Sequence, residues 1–227
     1  MGVMSCLDGR SGGLIWNYDR AEIIADGVVH AIGVGFGFVG AVAIVLAASN
    51  SAQSHEVVPL LIYVAGLLAM LGLSAAYNMW PVSGAKWVLR RFDHSAIYVL
   101  IAGTYTPFLA QLKAGLTSSG LSIGIWSAAT IGVVLKLLLP GRFERLSIIL
   151  YLLLGWSGAI AYDAAVSTLP TSTLWLIAAG GALYSTGLIF QLWQNLRFQN
   201  AIWHAFVVLA AACHYIAVLD SAGLLPA

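Results

Sequence analysis

Charge is scarce in this chain: of 227 residues only 8% are charged while 60% are hydrophobic, against roughly 25% and about 45–50% in an ordinary soluble domain. No water-soluble core can hide that much apolar surface, so the excess must face lipid. Cysteine is nearly absent too. Cys6 and Cys213 are the only two, which excludes a disulfide framework and leaves both as expected free thiols. The net charge of +1 supplies no basic patch for nucleic acid, and none is expected as a partner. The first 25 residues hold Asp8, Arg10, Asp19, Arg20 and Glu22 and lack a long apolar run, so they do not read as a cleaved secretory signal. Alternation of polar and apolar residues in pieces of about ten is also missing, which excludes a lipid-facing barrel.

What is present is a series of long, continuously apolar runs. Backbone groups in hydrocarbon must be satisfied within the segment, so these runs read as helices, and roughly 20 residues are needed for each crossing. Seven stretches qualify, at about 27–48, 58–80, 93–112, 120–139, 146–166, 173–193 and 201–220. The fold class is therefore all-α: one polytopic membrane domain over residues 1–227, a seven-transmembrane-helix bundle preceded by a polar segment at 1–26.

Lysine and arginine set its direction, because they are retained on the cytosolic side of short loops. Arg10 and Arg20 precede span 1; Lys86, Arg90 and Arg91 lie between spans 2 and 3; Lys136, Arg142 and Arg145 surround the 4–5 turn; Arg197 precedes span 7. Only Lys113 falls on the other face. The N-terminus is thus expected in the cytosol and the C-terminus outside.

That direction assigns a depth to each polar residue. Glu22, Asp26 and His30 follow one another at i, i+4 near the inner end of span 1 and form one stripe. Ser74 and Asn78 do the same in span 2, Asp93 and His94 open span 3, and Asn200 and His204 sit one turn apart in span 7. Each alone could be an ordinary helix-end residue near water. Four spans delivering polar groups to one level point instead to a site. His214, about 15 Å deeper, is expected to hydrogen-bond between helices. Asp163 belongs near the outer face, Lys136 should snorkel inward, and Pro107 should kink span 3. Trp80, Trp87, Trp126, Trp175 and Trp193 fall near span ends, as interfacial anchors do.

Residues 90–108, Arg-Arg-Phe-Asp-His-Ser-Ala-Ile-Tyr-Val-Leu-Ile-Ala-Gly-Thr-Tyr-Thr-Pro-Phe, resemble the third-span signature of the hemolysin III branch of the progestin and adipoQ receptor (PAQR) family. Ala25-Asp26-Gly27 with His30, and Ile202-Trp203-His204 with His214, extend the resemblance over the chain. It implies a zinc ion near the inner surface, held by a Ser-x-x-x-His motif in span 2 and a His-x-x-x-His motif in span 7. It also implies a Ser and an Asp beside the metal, in a constellation proposed to hydrolyse lipid amides as alkaline ceramidases do. Ser74 and Asp93 match that pair and would be the catalytic residues. The ligands depart: span 2 reads Ser74-Ala-Ala-Tyr-Asn78 and span 7 reads Asn200-Ala-Ile-Trp-His204, leaving His204 as the one retained family ligand. A neutral carboxamide is a poor donor to zinc. No cofactor is therefore expected, unless Asp26 and His30 serve as substitute ligands. Asn78, Asn200 and His204, with Ser74 and Asp93, would instead close a metal-free polar network.

Two functions follow as expectations. The first is a hemolysin III-type protein of lipid sensing or membrane homeostasis, with the bilayer and a bound lipid or fatty acid as partners. The second is a ceramidase-like lipid amide hydrolase using Ser74, Asp93 and His204. A transporter would need more polar groups at mid-depth than are present. A retinal protein is excluded by the lack of lysine in span 7.

Overall fold

The computed structural model describes residues 18–50, 54–112, 115–139 and 144–225, and among these there is no strand. The expectations for Cys6, Asp8, Arg10, Lys113 and Arg142 fall outside the described residues. The helices are α1 (Arg20–Asn50), α2 (Ser54–Met79), α3 (Gly84–Gln111), α4 (Leu116–Leu138), α5 (Glu144–Trp156), α6 (Tyr162–Thr168), α7 (Thr171–Leu192) and α8 (Gln199–Ser221). A 3₁₀ turn, Ser157–Ala161, joins α5 to α6 into one rod.

Six of the rods are long and apolar enough to cross a membrane, with α5 and α6 sharing the span Leu146–Thr168. The exception is α3. Its 28 residues reach about 42 Å, but Lys86, Arg90, Arg91, Asp93 and His94 all lie in its N-terminal part. The stretch expected to be a basic loop is largely the first turns of this helix, started by Ser83, whose Oγ accepts from the Lys86 amide at 3.4 Å.

α1 also begins earlier than its apolar run. Asp19 and Glu22 form a reciprocal capping box: Glu22 N donates to Asp19 Oδ1 at 2.8 Å, and Asp19 N donates to Glu22 Oε2 at 2.9 Å. The buried residues of α1 then run 26, 30, 33, 37, 40, 41, 44 and 48, a single helical stripe. Ile24, Val28, Ile32, Phe38 and Val39 are exposed on its other side. The polar residues of α1 therefore share the face that packs on α2 and α8.

The core lies among α1, α2, α3, α7 and α8. The closest approach of α2 and α3 uses Gly66 and Gly103. A Cβ on Gly66 would lie 3.3 Å from Val99 O, and one on Gly103 would lie 3.3 Å from Ile62 O. α3 continues through Pro107 as helix to Gln111. The break within the fifth rod has a visible cause. Tyr105 of α3 donates its hydroxyl to Gly155 O at 2.6 Å and accepts from Gly158 N at 2.7 Å, replacing a rung of the helical ladder.

Two contact sets define the ends of the bundle. At one end Tyr18 meets Gln199, Asn200 meets Asn78, and Arg91 reaches Leu137 O. At the other, Gln111 meets Ser221 while Ser172 and Thr173 both donate to Asp220. The start of α1 and the end of α8 thus lie at opposite ends. Trp80, Trp175 and Trp193 are exposed at rod ends, whereas Trp126 donates to Thr106 and Trp87 stacks under Arg91 at 3.6 Å.

Candidate functional site

The polar residues at the first end meet in a buried knot between α1, α2 and α8. Asp26 is 3% exposed, His30 6%, Asn78 5% and His204 7%, so their polar atoms depend on one another rather than on water. His204 Nδ1 lies 2.6 Å from Asp26 Oδ1. Since a carboxylate only accepts, the imidazole carries that proton and donates it. Asn200 Nδ2 donates to Asp26 Oδ2 at 2.8 Å and to Asn78 Oδ1 at 3.1 Å. Asn78 in turn donates to Ser74 O at 2.9 Å. One carboxamide on α8 thereby ties α1 to α2.

His30 completes the knot without completing its bonding. Its Nε2 lies 3.6 Å from Asp26 Oδ2, too far for a hydrogen bond, and this buried atom has no hydrogen-bond partner among the described residues. Its ring centroid is 4.3 Å from that of His204.

Three of the expected site residues stand apart from this knot. Glu22 belongs to the capping box, and its Oε1 accepts from Phe198 N at 3.0 Å. That contact holds the one described non-glycine residue with positive φ, Phe198 at 60°, at the N-cap of α8. The i, i+4 stripe placed Glu22 with Asp26 and His30, but the free amides of the first turn claim its carboxylate instead. His94 faces Tyr77, with ring centroids 6.4 Å apart, and its carbonyl accepts from Tyr151. The half-buried Asp93 sits beside Ser74, within reach of its side chain. Ser74 and Asp93 are thus neighbours at the margin of the knot, which Ser74 joins through Asn78.

Elsewhere the structure departs from expectation in kind. His214 Nδ1 donates to Ala210 O at 2.9 Å within its own helix, and meets α7 by packing against Gly180 and Tyr184. Lys136 is buried rather than snorkelling. Asp163 is exposed, which does not depart from its expected place near the outer face.

Lys86 was not anticipated. It is 1% exposed, and its Nζ donates to Asn78 O at 3.1 Å and Trp80 O at 2.8 Å, closing the carbonyl end of α2 beneath the site. A lysine in a basic loop carries no sequence signal for that role. Asp19 was also read only as a surface charge. The Glu22 amide, and then Arg197 at 3.2 Å, hold its carboxyl below the usual range. The Asp-x-x-Glu spacing before an apolar run was the available signal.

The donor set for a metal can be judged on this geometry. Positions 78 and 200, where the resemblance implies histidine ligands, carry carboxamides already committed to hydrogen bonds, so a three-histidine centre does not fit there. Asp26, His30 and His204 do fit an ion: each offers one ligand atom, all within 4.8 Å of one another, and His30 brings an orphaned nitrogen. A crevice lined by Tyr18, Glu22, Asp26, Asn78, Phe198 and Asn200 reaches Asp26.

Comparison with known proteins agrees with the architecture. The family model described as "Haemolysin-III related" matches residues 22–215. The chain is 36% identical to a Bacillus subtilis protein named "Hemolysin-3 homolog", over 87% of this chain and 93% of that one. It is 33% identical to "Hemolysin-3" of Bacillus cereus, over 87% and 90%. It is 32% identical to human "Monocyte to macrophage differentiation factor", over 69% and 67%. No solved structure gives a significant match. With six apolar helices the chain is an integral membrane protein, and the Bacillus relatives point to a bacterial plasma membrane. It belongs to the haemolysin III-related, PAQR-type family.

Proposed function

We propose that the chain crosses the bilayer seven times with the start of α1 in the cytosol, and that the knot at its inner end is a latch through which the protein responds to membrane lipid. The seventh crossing is α3, whose second half from Ser95 is apolar and buried against α2 and α4. Its charged first half then lies at the cytosolic surface, where lysine and arginine are retained. Labelling a cysteine placed at Arg90→Cys from one side of the membrane at a time tests this, and reaction only from outside overturns it.

One observation carries the latch: the Asn200 carboxamide donates to both Asp26 and Asn78, so one side chain of α8 joins α1 to α2. α1 presents exposed Ile24, Val28, Ile32 and Phe38 on the side away from that contact. A change in lipid packing or a bound fatty acid acts on that apolar face, and the same rigid helix carries the force to the latch. The site so described is degenerate with respect to the family's three-histidine composition. Reconstitution in phosphatidylethanolamine–phosphatidylglycerol vesicles, with and without oleate, tests the reading. Hydrogen exchange at the start of α1 should change with oleate, and Asn200→Ala should abolish the difference. An oleate-independent exchange rate overturns it.

The pairing of Ser74 with Asp93 supports a second reading, a lipid amide hydrolase. Asp93 would take a proton from water as it adds to the amide carbonyl; the carbon–nitrogen bond then breaks, and the amine leaves with that proton. Turnover of ceramide by purified protein, lost in Asp93→Asn with the fold intact, would replace the sensor reading with this one.

A further inference from the structure

We infer that Asp26, His30 and His204 form a binding site for a zinc-class divalent ion, shifted onto α1 from the positions that the family resemblance implies. This rests on the reading of the inner knot as the functional centre of the chain.

The donor chemistry is the first argument. One carboxylate and two imidazoles are the number and kind of protein ligands that zinc takes at open sites, whereas calcium and magnesium prefer oxygen alone. The second is spacing. Asp26 and His30 stand at i, i+4 on the buried stripe of α1, so both point at one volume, and His204 faces them from α8. Ligand atoms around a tetrahedral ion with bonds of about 2.0 Å lie about 3.3 Å apart. One ligand atom from each of the three residues lies within 4.8 Å of the others, and binding an ion there would replace the His204–Asp26 hydrogen bond and release its proton.

The third argument is the state of His30. Its Nε2 is buried with no hydrogen-bond partner among the described residues and lies 3.6 Å from Asp26 Oδ2. Native interiors rarely leave such an atom unmade, and an ion between it and the carboxylate accounts for it. Asn200 and Asn78 then have a definite role. Asn200 Nδ2 donates to Asp26 Oδ2 and is braced on Asn78 Oδ1, an outer shell that orients a ligating carboxylate. The two carboxamides become positioning residues for a site that uses neither as a ligand. The crevice that reaches Asp26 past Tyr18 and Phe198 is the entry path.

The test uses the full-length chain in detergent micelles, stripped with chelator and then titrated separately with Zn²⁺ and Co²⁺. Elemental analysis should give one zinc per chain, and cobalt should show the visible bands of a tetrahedral nitrogen–oxygen site. His30→Ala should weaken Zn²⁺ binding by about 100-fold or more, and Asn78→Ala, two bonds removed from the ligand, by no more than about 10-fold. Asp26→Ala provides a second ligand variant, and circular dichroism with gel filtration identifies any variant that fails to fold. Wild-type protein without zinc above the detergent blank overturns the inference. So does a folded His30→Ala protein that binds normally, or an Asn78→Ala loss exceeding that of His30→Ala, which would put the ion at the family position. An oleate response that persists in stripped protein would leave the lipid reading standing without the metal. Zinc binding with no oleate response would leave the metal without the lipid reading.

Discussion

Removing Asp26 should be the most damaging single change at the inner end of the bundle. The carboxylate is 3% exposed and accepts two short contacts, from His204 at 2.6 Å and from Asn200 at 2.8 Å. Hydrogen bonds to a charged group contribute about 1.5–3 kcal/mol each, and breaking a buried charged pair costs about 3–5 kcal/mol. For a chain of 227 residues, 1 kcal/mol corresponds to about 2–4 °C in the unfolding midpoint. Asp26→Ala is therefore expected to lower that midpoint by roughly 6–20 °C in chelator-treated protein. The stricter measurement is the double-mutant cycle with His204→Ala, followed by thermal or denaturant unfolding in one detergent. The two residues touch directly, so their coupling should fall in the range of about 1.5–3 kcal/mol. A coupling below about 0.5 kcal/mol, the scatter expected of independent sites, would refute the claim that this contact holds α1 to α8.

Other perturbations test other parts of the fold. A methyl on Gly132 would lie 2.5 Å from the ring of Tyr98, itself 2% exposed, so Gly132→Ala should destabilise by about 1–3 kcal/mol in equilibrium unfolding. Tyr105→Phe removes the hydroxyl that joins Gly155 and Gly158; hydrogen exchange at Gly158 should accelerate while that of α8 is unchanged. Arg197→Ala should leave the midpoint where it is, because the Arg197 and Asp19 side chains are 68% and 50% exposed and solvent screens them. Asp19 behaves differently with pH. Its folded carboxyl is held low by the Glu22 amide and then by Arg197, so its capping contribution is present above the ordinary aspartate range and is lost as pH falls through the lowered value. Asp19→Asn should flatten that acid limb of the stability profile.

Lipid immersion, an all-helical fold and the limits of six apolar rods could be read from composition and run length, because the bilayer imposes a length on every crossing and forbids unsatisfied backbone within it. The polar level was legible for the same reason: Asp26, His30, Asn78, Asn200 and His204 stand out in apolar runs, and periodicity puts them at one depth. Glu22 shows where that reasoning stops. The i, i+4 spacing places its Cβ on the stripe of Asp26 and His30, but a flexible carboxylate goes to the nearest unsatisfied amides, and those are the amides of Asp19 and Phe198. Lys86 was equally hidden, since a basic residue in a short connection looks the same whether it faces the cytosol or closes the end of α2.

The sequence by itself determined the solvent, the helical class and the shared level of Asp26, His30, Asn78, Asn200 and His204, all of which depend on local spacing along one helix. Only the tertiary structure decided which groups touch. The rotation of α1 against α8 brings the Asp26 carboxylate within 2.6 Å of the His204 nitrogen and sets the His30 ring centroid 4.3 Å from that of His204. The azimuth of one helix against another is set by how whole faces pack, as at Gly66 and Gly103 between α2 and α3. No motif within a single span records it.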